Sequence, residues 1–102
     1  MSETGDQREA TLGRLLVSIE DLDPDATIYA SKSRPLSFRS RAVAAVEGST
    51  IPEGLTYLLE VSLARDVIAA WSLHRNGRRP SPDDLVAAVV YYADHDAYLP
   101  TG

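Results

Sequence analysis

Three short strand-like segments follow one another with no amphipathic helical stretch between them. They are Ala26-Thr27-Ile28-Tyr29-Ala30, Arg41–Glu47 and Leu55–Val61. The first is rich in β-branched and aromatic residues and lies between turn formers, so it reads as a strand. The third is a further strand candidate, and the middle one is read as a strand although its alanines leave helix open. Helical spacing appears on either side of this block. Leu12, Leu15, Leu16 and Ile19 fall at i, i+3, i+4, i+7 and predict an amphipathic helix over about 8–21. A second helix is expected over about 62–75, with Leu63, Val67, Ala70, Trp71 and His74 on one face, and a third from Pro82 to about Asp94. Strands grouped together and helices grouped at the ends predict an α+β fold in the order α-β-β-β-α-α. The expected architecture is a single domain whose small antiparallel sheet is covered on one face by helices.

Local signals set the boundaries. Pro24 cannot continue a helix and disfavours helical geometry at Asp23, so the first helix stops at the acidic turn 21–25. Gly13 weakens that helix by ~1 kcal/mol relative to alanine, which leaves its stability to packing. Residues 31–40 are polar, contain Pro35 and read as a loop; 48–54 and Asn76-Gly77 are further punctuation. Ser81-Pro82-Asp83-Asp84 is the clearest start signal. The serine caps, the proline takes the first helical position, and two carboxylates face the positive end of the helix dipole.

The chain has 102 residues, room for one core. We expect a flexible stretch over 1–7 and one domain over 8–99. With no cysteine there is no disulfide framework and no thiolate chemistry. The start of the chain is acidic and polar, unlike a secretory signal. The uncharged stretch Leu85–Ala93 has nine residues, against the ~20 that span a bilayer. A soluble, cytoplasmic protein without membrane contact is therefore expected. The net charge is −5, but it is unevenly spread. Residues 1–31 carry −5, residues 32–80 carry +4 and residues 81–102 carry −4. An acidic balance opposes general affinity for nucleic acid.

Candidate sites are few. Lys32, Arg34, Arg39 and Arg41 surround Pro35 and Phe38 in a basic patch, a combination that grips phosphates or a single strand or meets the acidic ends of the same fold. Asp94-His95-Asp96 resembles metal chemistry, but alternate residues at a helix end diverge, so no metal is expected. Glu60 stands between apolar neighbours, and an ion pair with Arg65 or Arg41 is the expected reason. Arg75, Arg78 and Arg79 sit where cations favour a helix C-terminus. Tyr91 and Tyr92 point roughly 100° apart on a helix. Tyr92 continues the apolar stripe, which leaves Tyr91, with Tyr98, as an aromatic interface candidate. No phosphate loop, nucleophile elbow or metalloprotease motif is present. The expected catalytic set and cofactor set are therefore empty.

The segments Asp25-Ala-Thr-Ile-Tyr-Ala30 and Gly54-Leu-Thr-Tyr-Leu-Leu-Glu-Val61, with Ala64-Arg-Asp-Val-Ile68 and Trp71, resemble a group of small bacterial proteins without an assigned activity. Tyr91-Tyr92-Ala93 and Asp96-Ala97 extend the likeness over most of the chain after Asp21. The resemblance implies a complete bacterial domain and carries no catalytic residues.

The function expected from these features is that of a small acidic, non-enzymatic protein-binding module. It is similar to immunity or antitoxin-like proteins that block a basic partner by charge complementarity. Asp21, Asp23, Asp25, Asp94 and Asp96 form its expected acidic surface, with Tyr91 and Tyr98 as anchors. The alternatives are a homo-oligomeric structural or accessory subunit, such as a homodimer, and a nucleic-acid accessory protein using the basic patch.

Overall fold

The computed structural model describes residues 9–99; the segment expected to be flexible, 1–7, lies outside them. The elements in chain order are β1 (Ala10–Thr11), α1 (Leu12–Val17), a 3-10 turn (Ile19–Asp21), β2 (Thr27–Ser31), β3 (Arg41–Ala45), β4 (Leu55–Glu60), α2 (Val61–Leu73) and α3 (Pro82–His95). This is the expected α+β arrangement with one strand more. The alanine-rich segment is strand, not helix.

The four strands form one sheet in the order β1-β3-β2-β4, each pair antiparallel. Since β3 and β4 flank β2, they run in the same direction. Residues 46–54 must therefore carry the chain back along the sheet to the start of β4. Lys32 N donates to Gly54 O at 3.0 Å and Arg41 Nη2 to Glu53 O at 3.3 Å, which pins the end of this crossing.

Period-two alternation divides the sheet. Ile28, Ala30 and Ala42 face the helices and join a core with Leu12, Leu16, Val61, Trp71 and Val89. On the other side Tyr29 lies between Val43 and Tyr57. Val43 is fully buried, whereas Tyr57 is 55% exposed and meets Tyr29 edge-on at 6.4 Å. A bulge interrupts β4: Ile28 pairs with Leu59 but Tyr29 pairs with Tyr57, so Leu58 is the extra residue. That is why two consecutive leucines, Leu58 and Leu59, are both buried.

The first helix is shorter than the periodicity over 8–21 predicts. Ala10 and Thr11 pair with Ala42 and Arg41, which keeps their backbone extended. Thr11 then caps α1 by accepting a hydrogen bond from Arg14 N at 3.3 Å. After Ser18 the chain tightens into the 3-10 turn, closed by Leu22 N donating to Ile19 O at 3.1 Å. The apolar stripe itself is correct: Leu12, Leu15, Leu16 and Ile19 are all buried.

Gly13 faces inward in α1 for a packing reason. A Cβ there would lie 1.9 Å from the ring of Phe38, and Gly13 N donates to Phe38 O at 2.9 Å. Leu12 N donates to Ser40 O at 2.7 Å, so the loop 32–40 is laid against the helix through backbone bonds. At the other end of the chain Ser81 and Asp84 form a capping box: Asp84 N donates to Ser81 Oγ at 3.1 Å and Ser81 N to Asp84 Oδ2 at 2.9 Å. No described helix is long and apolar enough to cross a membrane.

Candidate functional site

The acidic residues selected from the sequence do not share one surface. Asp21, Asp23 and Asp25 precede β2, whereas Asp94 and Asp96 lie beside the loop that follows β2, because Arg34 of that loop bonds Asp94 at 2.5 Å. Five residues of β2 separate the two groups, a span of about 17 Å at ~3.3 Å per residue.

The first group lies at the end of the molecule where several elements converge. Asp25 N donates to Asp23 Oδ1 at 2.8 Å, a local turn that holds the loop in shape. Ala26 O accepts from Val61 N at 3.0 Å, and Thr27 pairs with Glu60, which brings the start of α2 and the Glu60 carboxylate alongside the turn. Glu20 is 82% exposed, and Asp21, Asp23, Asp25 and Glu60 are exposed with it.

The cation at this end is otherwise engaged. Arg65 Nη2 donates to the carbonyls of Ile19, Glu20 and Leu22 at 3.2, 3.2 and 2.9 Å, so it clasps the 3-10 turn and the residue after it. Its Nε lies 3.9 Å from the Glu20 carboxylate and has no hydrogen-bond partner. The expected pairing of Glu60 with Arg65 or Arg41 is therefore overturned. Arg65 is committed to the carbonyls of residues 19–22, and Arg41 pairs with Glu9 through Nε and Nη2. Glu60 ends β4 as the residue before α2 and faces solvent. Its charge, after burial and ahead of Tyr29, holds the Tyr57 phenol above its ordinary range.

The second group is partly neutralised and partly structural. Asp94 pairs with Arg34. Asp96 takes the left-handed C-cap of α3, with φ 54°, and its N–H donates to Tyr92 O at 2.7 Å. Tyr91 is half-buried and stacks on His95 with ring centroids 4.0 Å apart, while His95 Nδ1 bonds Tyr91 O at 3.0 Å. Tyr98 is 47% exposed and leans on Tyr92 and His74, at 5.5 and 6.2 Å. Both candidate anchors are thus occupied by contacts within the chain.

Half of the basic patch is taken up by ion pairs. Arg34 and Arg41 are bound to Asp94 and Glu9, leaving Lys32 and Arg39 without an ion pair among the described residues. Arg75 and Arg78 lie over the buried Trp71 ring, 4.3 and 5.5 Å from its centroid, and Arg75 Nη1 donates to Trp71 O at 3.1 Å near the end of α2. No group of three acidic, histidine or cysteine side chains fit to hold a metal occurs among the described residues. Sequence patterns reveal neither Arg65 as a backbone clamp nor Glu60 as a neighbour of the 20–25 turn. Both depend on the β2–β4 register, which a single chain of letters does not display.

A family model for a domain of unknown function, DUF7716, matches residues 9–101. No curated protein and no solved structure matches the chain.

Proposed function

We propose that this chain, which belongs to the DUF7716 family, is a non-enzymatic protein-binding module that receives a basic partner at the end formed by the 20–25 turn and Glu60. One observation carries the reading. Glu20, Asp21, Asp23, Asp25 and Glu60 face solvent together, while the guanidinium beside them is spent on the carbonyls of residues 19–22. Five carboxylates gathered at one end of the sheet raise the encounter rate and select for cations. An immunity or antitoxin-like role, in which this end blocks a basic protein, is the form of the reading that fits the small acidic chain.

The test is affinity capture from the native cell with two charge-reversed variants. A stoichiometric basic partner is retained by the wild type and lost by Asp21→Lys/Asp23→Lys/Asp25→Lys. Asp94→Lys/Asp96→Lys, at the opposite end, retains it. Equal retention by the first variant overturns the reading.

A second reading, a homo-oligomeric accessory subunit, is favoured by β4. Its outer edge has no strand partner among the described residues, and Thr56 and Tyr57 are exposed along it. Unpaired edges are templates for another chain. The bulge at Leu58 weighs against this, since bulges twist an edge away from pairing.

A further inference from the structure

The loop 32–40 and the start of α1 enclose an open concavity lined by Glu9, Ala10, Thr11, Arg14, Phe38 and Arg39. It lies at the opposite end of β2 from the acidic turn, because β1 pairs with the start of β3 and that start pairs with Ala30. Its electrostatics run against those of the chain. Arg14 and Arg39 have no ion-pair partner among the described residues, in a protein whose net charge is −5. The one carboxylate among the described lining residues, Glu9, is held by Arg41, whose hydrogen bond keeps it ionised and occupied. Two guanidinium groups therefore face a concavity whose one acid among the described residues is already paired.

The backbone behind the lining is also fixed. Gly13 N and Leu12 N bond the carbonyls of Phe38 and Ser40, and the Phe38 ring rests against the Cα of Gly13, where no side chain can fit. A preorganised site loses less entropy when it binds. Guanidinium forks match the oxygens of a phosphate, and an aromatic ring on the same lining offers a face for a base or a sugar.

We propose that this concavity is a binding site for a phosphate-bearing small molecule, with the phosphate between Arg14 and Arg39 and the remainder of the ligand against Phe38. The inference is independent of the protein-binding reading, since it concerns the other end of β2 and none of the five carboxylates at the acidic turn.

The experiment is NMR titration of the intact protein with AMP, ribose 5-phosphate, inorganic phosphate and adenosine at low ionic strength. Saturable shifts of Thr11, Gly13 and Phe38 with the phosphate-bearing probes, and none with adenosine, are expected. Tighter binding of AMP than of ribose 5-phosphate identifies a nucleotide, and equal binding identifies a sugar phosphate; either supports the site. Arg39→Gln is expected to weaken binding at least tenfold. Lys32→Gln removes the same charge from outside the concavity and is expected to leave the affinity within twofold. Circular dichroism of both variants confirms that they fold. Absence of saturable shifts with all three phosphate probes, or equal weakening by Lys32→Gln and Arg39→Gln, overturns the proposal.

Discussion

Gly13 and Arg65 show how single residues hold this fold together by means other than their side-chain class. Gly13 sits inside a helix, where glycine costs stability, because the Phe38 ring occupies the space a Cβ needs. Gly13→Ala is therefore expected to lose stability despite its better helix propensity, by about 1–3 kcal/mol from overpacking. Chemical denaturation of the purified variant checks this, and Gly13→Ala/Phe38→Leu is expected to recover part of the loss. Arg65 is charged, yet its strongest contacts are to carbonyls. Arg65→Met keeps the apolar stem and removes the guanidinium donor from those carbonyls, of which Ile19 O retains its bond from Leu22 N, for an expected loss of about 1–3 kcal/mol. If the salt bridge to Glu20 were the main interaction, Glu20→Gln would cost as much. At 3.9 Å and with Glu20 82% exposed, it is expected to cost far less. Neither role is legible in the sequence. Gly13 signals only a weak helix and Arg65 only a charge, because the ring and the carbonyls they meet come from distant segments.

Among the elements, α3 is the most legible, since its start depends on residues adjacent in sequence. Ser81→Ala removes an N-cap and is expected to cost about 1 kcal/mol. The same box makes stability acid-sensitive. Hydrogen bonds from Ser81, and then Arg78 and Arg75, hold the Asp84 carboxyl below its ordinary range. A carboxylate with a lowered folded-state pKa stabilises the fold above its unfolded value, and the contribution is lost as pH falls through the folded value. Denaturation midpoints are thus expected to fall on acidification below the ordinary aspartate range. Asp84→Asn is expected to show a shallower acid dependence. Strands β2 and β4 are legible from composition, β3 only as a segment whose alanines leave helix open, and β1 not at all. Two residues offer no periodicity, and their pairing with Ala42 and Arg41 is a tertiary fact. The bulge in β4 escapes for a similar reason, since Leu58-Leu59 breaks alternation without saying which partner is skipped. For the sheet edge, the homo-oligomeric reading predicts that Thr56→Lys, a charge on the exposed edge of β4, lowers the mass in solution. The protein-binding reading predicts no change.

At the scale of the whole molecule, the charge segments of the sequence resolve into a division of labour. The basic middle meets both acidic ends, through Arg41 with Glu9 and Arg34 with Asp94. The acids around residues 20–25 and Glu60 are left facing solvent at one end of β2, and Arg14 and Arg39 at the other. The alternating charge is plain in the sequence. Which charges cancel is not, because it depends on the order β1-β3-β2-β4 and on a crossing connection no local pattern announces. The most direct test of the protein-binding reading is light scattering on the purified protein, first alone and then with the partner captured from its own cell. That reading predicts a monomer alone and a one-to-one complex with a basic protein. A homodimer that retains no other protein would contradict it.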